Sequence, residues 1–115
     1  MRIIILHGPG PSQYPSGEMT VVNNDIKYLT ENGHTVKLLI NNNSIGINLF
    51  KLFINIRINK ELKNTILSFQ PDIIHYHSII PYLGLFSLAV PNKYKVPTVQ
   101  TLHNGRWLCV EGGYF

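Results

Sequence analysis

Four of the five histidines in this 115-residue chain fall at or just past the end of an apolar, β-branched run. His7 closes RIIILH, His75 and His77 close PDIIHYH, and His103 follows VPTVQTL; His34 instead opens a run, HTVKLLI. Imidazole changes charge near neutral pH and is the commonest metal ligand. Around His103 the chain reads TLHNGRWLC, which adds Asn104, Arg106 and Cys109: an amide, a fixed cation and a thiol. Such residues could hold a metal, attack an electrophile through a thiolate, or bind and polarise a substrate.

The metal reading is the weakest of the three. His75 and His77 lie two apart on a strand and so share a face, and with His103 or Cys109 they suggest zinc. Yet there is neither a CxxC nor an HExxH spacing, and ligating thiols come in pairs. The expectation is therefore no metal, with His75 a core or edge side chain bonded to backbone. Cys109 as a nucleophile needs a partner base that the sequence does not show, so it reads as a small buried residue. Binding remains. The loop GPGPSQYPSG invites a dinucleotide reading, but Gln13 stands where the third glycine belongs, and Leu39, Ile40 and Asn41 stand where an acid should hold a ribose. Gly17 is followed by Glu18 and Met19, which excludes a P-loop. Gly17 at a helix N-terminus still lets a phosphate or sugar approach backbone N–H groups; equally, it could serve loop geometry alone.

These residues must be positioned by a layered α/β fold. RIIILH (2–7) is continuously apolar, the pattern of a strand covered on both faces. EMTVVNNDIKYLTEN sets Met19, Val22, Ile26 and Leu29 on one helical face, with Gly33 as its stop. Strands are expected at 34–40, 71–77 and 96–102. Helices are expected over 46–69, with a break near Asn59, and over 80–90. Alternating strands and helices give a parallel sheet with right-handed crossovers. An order of second, first, third, fourth places the topological switch between the first and third strands, and ligands belong beyond the carboxyl ends there. The histidines sit at that edge.

Composition narrows the partners. Hydrophobic residues make up 44% and charged residues 14%, which describes a globular chain and excludes disorder. The net charge of +4 comes from scattered single cations, with no basic stripe for nucleic acid. A lone cysteine and the absence of a signal-peptide apolar core point to the cytoplasm. GINLFKLFINIRIN (46–59) is apolar around most of its circumference. Core packing is the first reading of that face, and peripheral contact with the inner surface of a membrane the second.

Four stretches together carry a family resemblance: RIIILHGPGPSQYPSGEMTVVNNDIKYLTENGHTVKLL, with Ser16 and Gly17 opening the first helix; PDIIHYHS; VPTVQTLHN; and RWLC. The chain resembles the N-terminal, Rossmann-like domain of GT-B-fold glycosyltransferases of family 4, retaining enzymes that use nucleotide sugars. Gly105 departs from the usual aromatic and Val110 from the usual proline. The resemblance implies that His103 is catalytic, facing the transferred sugar. It places Gly17 near the donor diphosphate, and His77, Asn104 and Arg106 on the acceptor side. It implies no metal and no other cofactor, a nucleotide-sugar donor, and a sugar or lipid-linked acceptor, as in cell-envelope polysaccharide synthesis. The family's second domain, which holds the nucleotide, has no counterpart in these residues. Residues 1–115 are therefore expected to be an incomplete acceptor-side domain, from a truncated reading frame or a gene fragment, and inactive alone. The alternative is a stand-alone flavodoxin-like domain that binds phosphate or a protein partner.

Overall fold

The computed structural model describes residues 1–8, 17–41, 54–79 and 83–103. RIIILH forms β1 (Arg2–His7). It pairs with β2 (Thr35–Ile40) on one side and β3 (Ile73–His77) on the other, and β4 (Thr98–Thr101) lies beyond β3. Every pairing is parallel. The order β2-β1-β3-β4 is the expected one, and the chain is an α/β, Rossmann-like sheet flanked by helices.

β1 is buried from Ile3 to His7 because its two faces meet different layers. Ile4 and Leu6 join Ile74 and Tyr76 against Ile58, Leu62 and Ile66 of α2 (Ile56–Phe69). Ile3 and Ile5 meet Val22 of α1 (Gly17–Glu31), with Met19, Ile26 and Leu29 packed around them. Alternate side chains of a strand point to opposite faces, so a strand covered on both sides must be apolar throughout. By the same alternation His7, His75 and His77 fall on the α1 face.

The helix ends explain where the chain turns. Gly33 sits at φ 86°. Its N–H donates to Thr30 O, and the N–H of His34 donates to Leu29 O at 3.0 Å, the paired bonds of a Schellman stop. A Cβ at Gly33 would meet no described atom within 4 Å, so the cost of substitution there is backbone strain. Gly33→Ala is expected to lower stability by about 1 kcal/mol in urea denaturation; an unchanged midpoint would show that the turn tolerates a side chain. Below the sheet, the Arg2 N–H donates to Asp72 Oδ2 at 2.6 Å and the Asp72 N–H to Arg2 O at 2.7 Å. The Met1 ammonium donates to His34 Nδ1 at 3.0 Å, which gives the fifth histidine a role at the edge away from the other four.

The elements differ from expectation in four places. α2 runs unbroken through Asn59, whose N–H donates to Asn55 O; Asn55 is the N-cap, its side chain accepting from the Ile58 N–H at 3.2 Å. The part of the expected helix over residues 46–53 lies outside the described residues. β3 starts at Ile73 because Asp72 is engaged with Arg2. The short helix lies further along than 80–90: a 3₁₀ turn, Leu85–Leu88, leads into α3 (Ala89–Lys93). Pro91 falls in its first turn, where a missing N–H breaks no bond. β4 is shorter than 96–102, since Pro97 has no N–H to give and enters the ladder through its carbonyl, which accepts from Ile74.

Candidate functional site

The register across the sheet builds the site. His7 is opposite His77, and His77 is opposite Thr101, so one row at the carboxyl edge spans β1, β3 and β4. His75 lies two residues back on β3, and His103 two residues past the end of β4. α1 covers this face and brings two carboxylates, Glu18 and Asp25. Ser78, at φ 51°, donates from its hydroxyl to Glu18 Oε2 at 2.6 Å, which ties the first turn of α1 to the residue after β3. Gly17 opens that turn, and a Cβ there would meet no described atom within 4 Å.

The imidazoles form a connected set. His7 and His77 are both 0% exposed. The His7 ring meets His77 edge-on, with centroids 6.2 Å apart, and its Nδ1 donates to the His77 carbonyl at 3.3 Å. That bond puts the proton of neutral His7 on Nδ1 and leaves Nε2 buried without a hydrogen-bond partner. His77 Nδ1 and His103 Nε2 share a hydrogen bond of 2.7 Å. His77 Nε2 is buried, without a hydrogen-bond partner, and 3.5 Å from Asp25 Oδ2. His75 lies 4.1 Å from His77 by ring centroids, and its Nε2 is bonded to Thr101 Oγ1 at 2.7 Å. Its partner is thus a side chain, where backbone was expected.

Burial pushes the His77 imidazole down to about 3, with His75, His103 and His7 adding to the effect. Burial also lowers His7, against the opposing influence of its backbone hydrogen bond and of Glu18, and it lowers His75 against Asp25. At neutral pH His77 is therefore uncharged, and its contact with Asp25 is not a salt bridge. Of the two tautomer pairs that the His77–His103 bond permits, one places the His77 proton on Nε2, facing the Asp25 carboxylate. In that pair His103 donates from Nε2, and its Nδ1 keeps a lone pair.

A family model described as glycosyl transferase 4-like matches residues 15–105. The chain belongs to that family. No curated protein and no solved structure matches it. In this glycosyl transferase 4-like chain the matched span takes in Gly17, Asp25, His75, His77, His103 and Asn104, and stops before Arg106. Sugar donor and acceptor substrates, in general terms, follow from the family.

Of the residues singled out from sequence, the structure brings His77 and His103 into contact and sets Gly17 one residue from Glu18, whose partner Ser78 adjoins His77. Asn104, Arg106 and Cys109 lie outside the described residues. Asp25 and Glu18 were not anticipated. The available signal was position: each borders the apolar stripe of α1 formed by Met19, Val22, Ile26 and Leu29, where a carboxylate faces the sheet's rim instead of solvent. One ligand atom each from Asp25, His75 and His77 lie within 4.8 Å of one another, which makes this trio the group able to hold a metal among the described residues. No described helix is long and apolar enough to cross a membrane.

Proposed function

We propose that this glycosyl transferase 4-like chain is the acceptor-side, N-terminal domain of a retaining transferase. The enzyme would move a sugar from a nucleotide-sugar donor, held by a second domain, to a saccharide or lipid-linked acceptor. The observation that carries the reading is the 2.7 Å bond between His103 Nε2 and the buried, neutral His77, beyond the carboxyl ends of β3 and β4. It fixes the His103 ring at the carboxyl edge of the sheet, the edge at which open α/β sheets bind ligands. With its proton engaged toward His77, His103 offers a lone pair to a sugar hydroxyl or to positive charge developing at the anomeric carbon. Gly17, whose missing side chain has no packing reason among the described residues, suits close approach of the donor diphosphate to the α1 N-terminus. Asn104 and Arg106 come one and three residues after His103 in the sequence and would meet the acceptor. Helix N-termini and cations of the second domain would offset the leaving diphosphate, so transfer itself needs no metal.

On this reading the enzyme works in the cytoplasm, with this domain at the inner face of the membrane. Supporting that placement, Lys60, Lys63 and Lys93 rim an open apolar groove of about 500 Å³, formed with Ile56, Val90 and Tyr94 between α2 and α3. It lies on the sheet face away from the histidines and suits anionic lipid.

A transfer assay tests the reading. This domain joined to its nucleotide-binding partner domain, given labelled nucleotide sugars and free or lipid-linked saccharide acceptors, is expected to form a glycoside with the donor's anomeric configuration. The 115 residues alone are expected to give no product. Inverted product would overturn the retaining mechanism. Transfer by the isolated 115 residues would overturn the two-domain division of labour. Inorganic phosphate bound at Gly17, with no transfer by the joined domains, would favour the stand-alone phosphate-binding alternative.

A further inference from the structure

The geometry points to a divalent transition-metal site, filled by zinc-like ions, in which Asp25, His75 and His77 are the ligands. It supplies no step of the transfer reaction proposed above. Three features carry it. The donor atoms of the three residues already lie within 4.8 Å of one another. His77 Nε2 is fully buried, has no hydrogen-bond partner, and points at Asp25 Oδ2 from 3.5 Å. Each imidazole also has one nitrogen held: His77 Nδ1 by His103 at 2.7 Å, and His75 Nε2 by Thr101 at 2.7 Å. A ligating histidine almost always uses its second nitrogen in this way, because the outer partner fixes both tautomer and ring orientation. His75 is then left Nδ1 for the ion and His77 Nε2.

Two imidazoles and one carboxylate suit zinc, cobalt or nickel better than magnesium or calcium, which need more oxygen ligands. Bonds of about 2.0–2.1 Å put tetrahedral donors about 3.4 Å apart, so the trio must contract by up to about 1.4 Å. Asp25 can supply that movement, since its side chain is 37% exposed at the rim of α1. Glu18 is engaged with Ser78, and His7 stands 6.2 Å from His77 by ring centroids; neither is a ligand. A water would complete a four-coordinate ion.

Binding also reverses a tautomer. With a metal on Nε2, neutral His77 carries its proton on Nδ1 and donates it to His103, so that His103 becomes the acceptor in their bond. An ion here would therefore take from His103 the Nδ1 lone pair assigned to the sugar.

The test is direct titration of the 115-residue chain with Co²⁺ and Zn²⁺. One equivalent of Co²⁺ is expected to give the visible d–d absorption of a low-symmetry nitrogen and oxygen site, and Zn²⁺ to abolish it. Asp25→Asn and His75→Ala, both at positions that are not fully buried, should each weaken binding more than tenfold, and Thr101→Val by about tenfold through the His75 ring. His34→Ala and Cys109→Ser should change nothing. Imidazole NMR of the unmutated chain gives a reading independent of any variant's folding: Zn²⁺ should shift His75 and His77 and spare His34. Absence of the absorption, equal affinity in Asp25→Asn and His75→Ala, loss of binding in Cys109→Ser, or shifts confined to His34 would each overturn the site. None of these readouts measures sugar transfer, so failure here and failure of the transferase reading are separable.

Discussion

Replacing His103 by alanine, in a transferase that contains this domain, is expected to lower kcat about a hundredfold or more and to leave affinity for the nucleotide sugar nearly unchanged. A hundredfold corresponds to about 2.7 kcal/mol of transition-state stabilisation. The expectation follows from where charge appears. As the bond to the leaving diphosphate lengthens, positive charge grows on the sugar ring, and a lone pair on a fixed imidazole gains attraction as it does so. An interaction that strengthens along the reaction raises kcat, whereas one that is equal throughout changes KM. The ring is fixed because His103 Nε2 is bonded to His77 Nδ1 at 2.7 Å, and His77 is held in turn by its complete burial. Steady-state kinetics with the donor varied at saturating acceptor, together with equilibrium binding of the donor, would check it. Unchanged kcat, or a loss wholly in donor affinity, would remove His103 from the chemical step.

Acid is expected to unfold this domain well before it protonates the folded site. His7, His75 and His77 all bind protons less readily when folded than the ordinary imidazole value of 6.5. As pH falls, the unfolded chain takes up these protons first, so the equilibrium moves toward it. The stabilisation is complete above pH 6.5 and drains away below it, for His77 down to about 3. Within that window His77 alone contributes a slope of up to ~1.4 kcal/mol per pH unit. Urea denaturation at several pH values between 7.5 and 4.5, with a chelator present, measures the slope. His77→Gln, which removes the titration, should flatten it. A stability flat from pH 7.5 to 4.5 in the unmutated chain would mean that the histidines accept protons without leaving the interior.

The sheet was legible because its determinants are short and local. RIIILH can be covered on both faces only as a central strand, and the placement of His7, His75, His77 and His103 at strand ends follows from counting. What escaped was set by packing or by a single cap. Asparagine at 55 and 59 looks alike in sequence, yet Asn55 starts α2 and Asn59 lies within it; the difference is one side-chain bond to the Ile58 N–H. The helix expected over 80–90 stops short of Pro91, which instead falls in the first turn of α3, after a 3₁₀ turn that no local signal announced. Asp25 meets His77, more than fifty residues away, only because Val22, Ile26 and Leu29 seat α1 over β1 and β3. No spacing rule within α1 contains that information. The expected roles of Asn104, Arg106 and Cys109, and the apolar helix over 46–53, fall outside the described residues.

The alternation along β1 has a consequence for how such a domain can vary. Ile3 and Ile5 belong to one apolar layer and Ile4 and Leu6 to the other, while His7 continues the first. A one-residue insertion or deletion within the strand would exchange the two sets and carry His7 to the α2 side, away from Asp25 and His77. Because both layers are apolar, the hydrophobic core would tolerate that slip better than the imidazole row would. Selection on such a strand would then act on frame more than on composition. Exchanges among isoleucine, leucine and valine should cost only about 0.5–1.5 kcal/mol each, while a change in its length should be forbidden even where the core could absorb it.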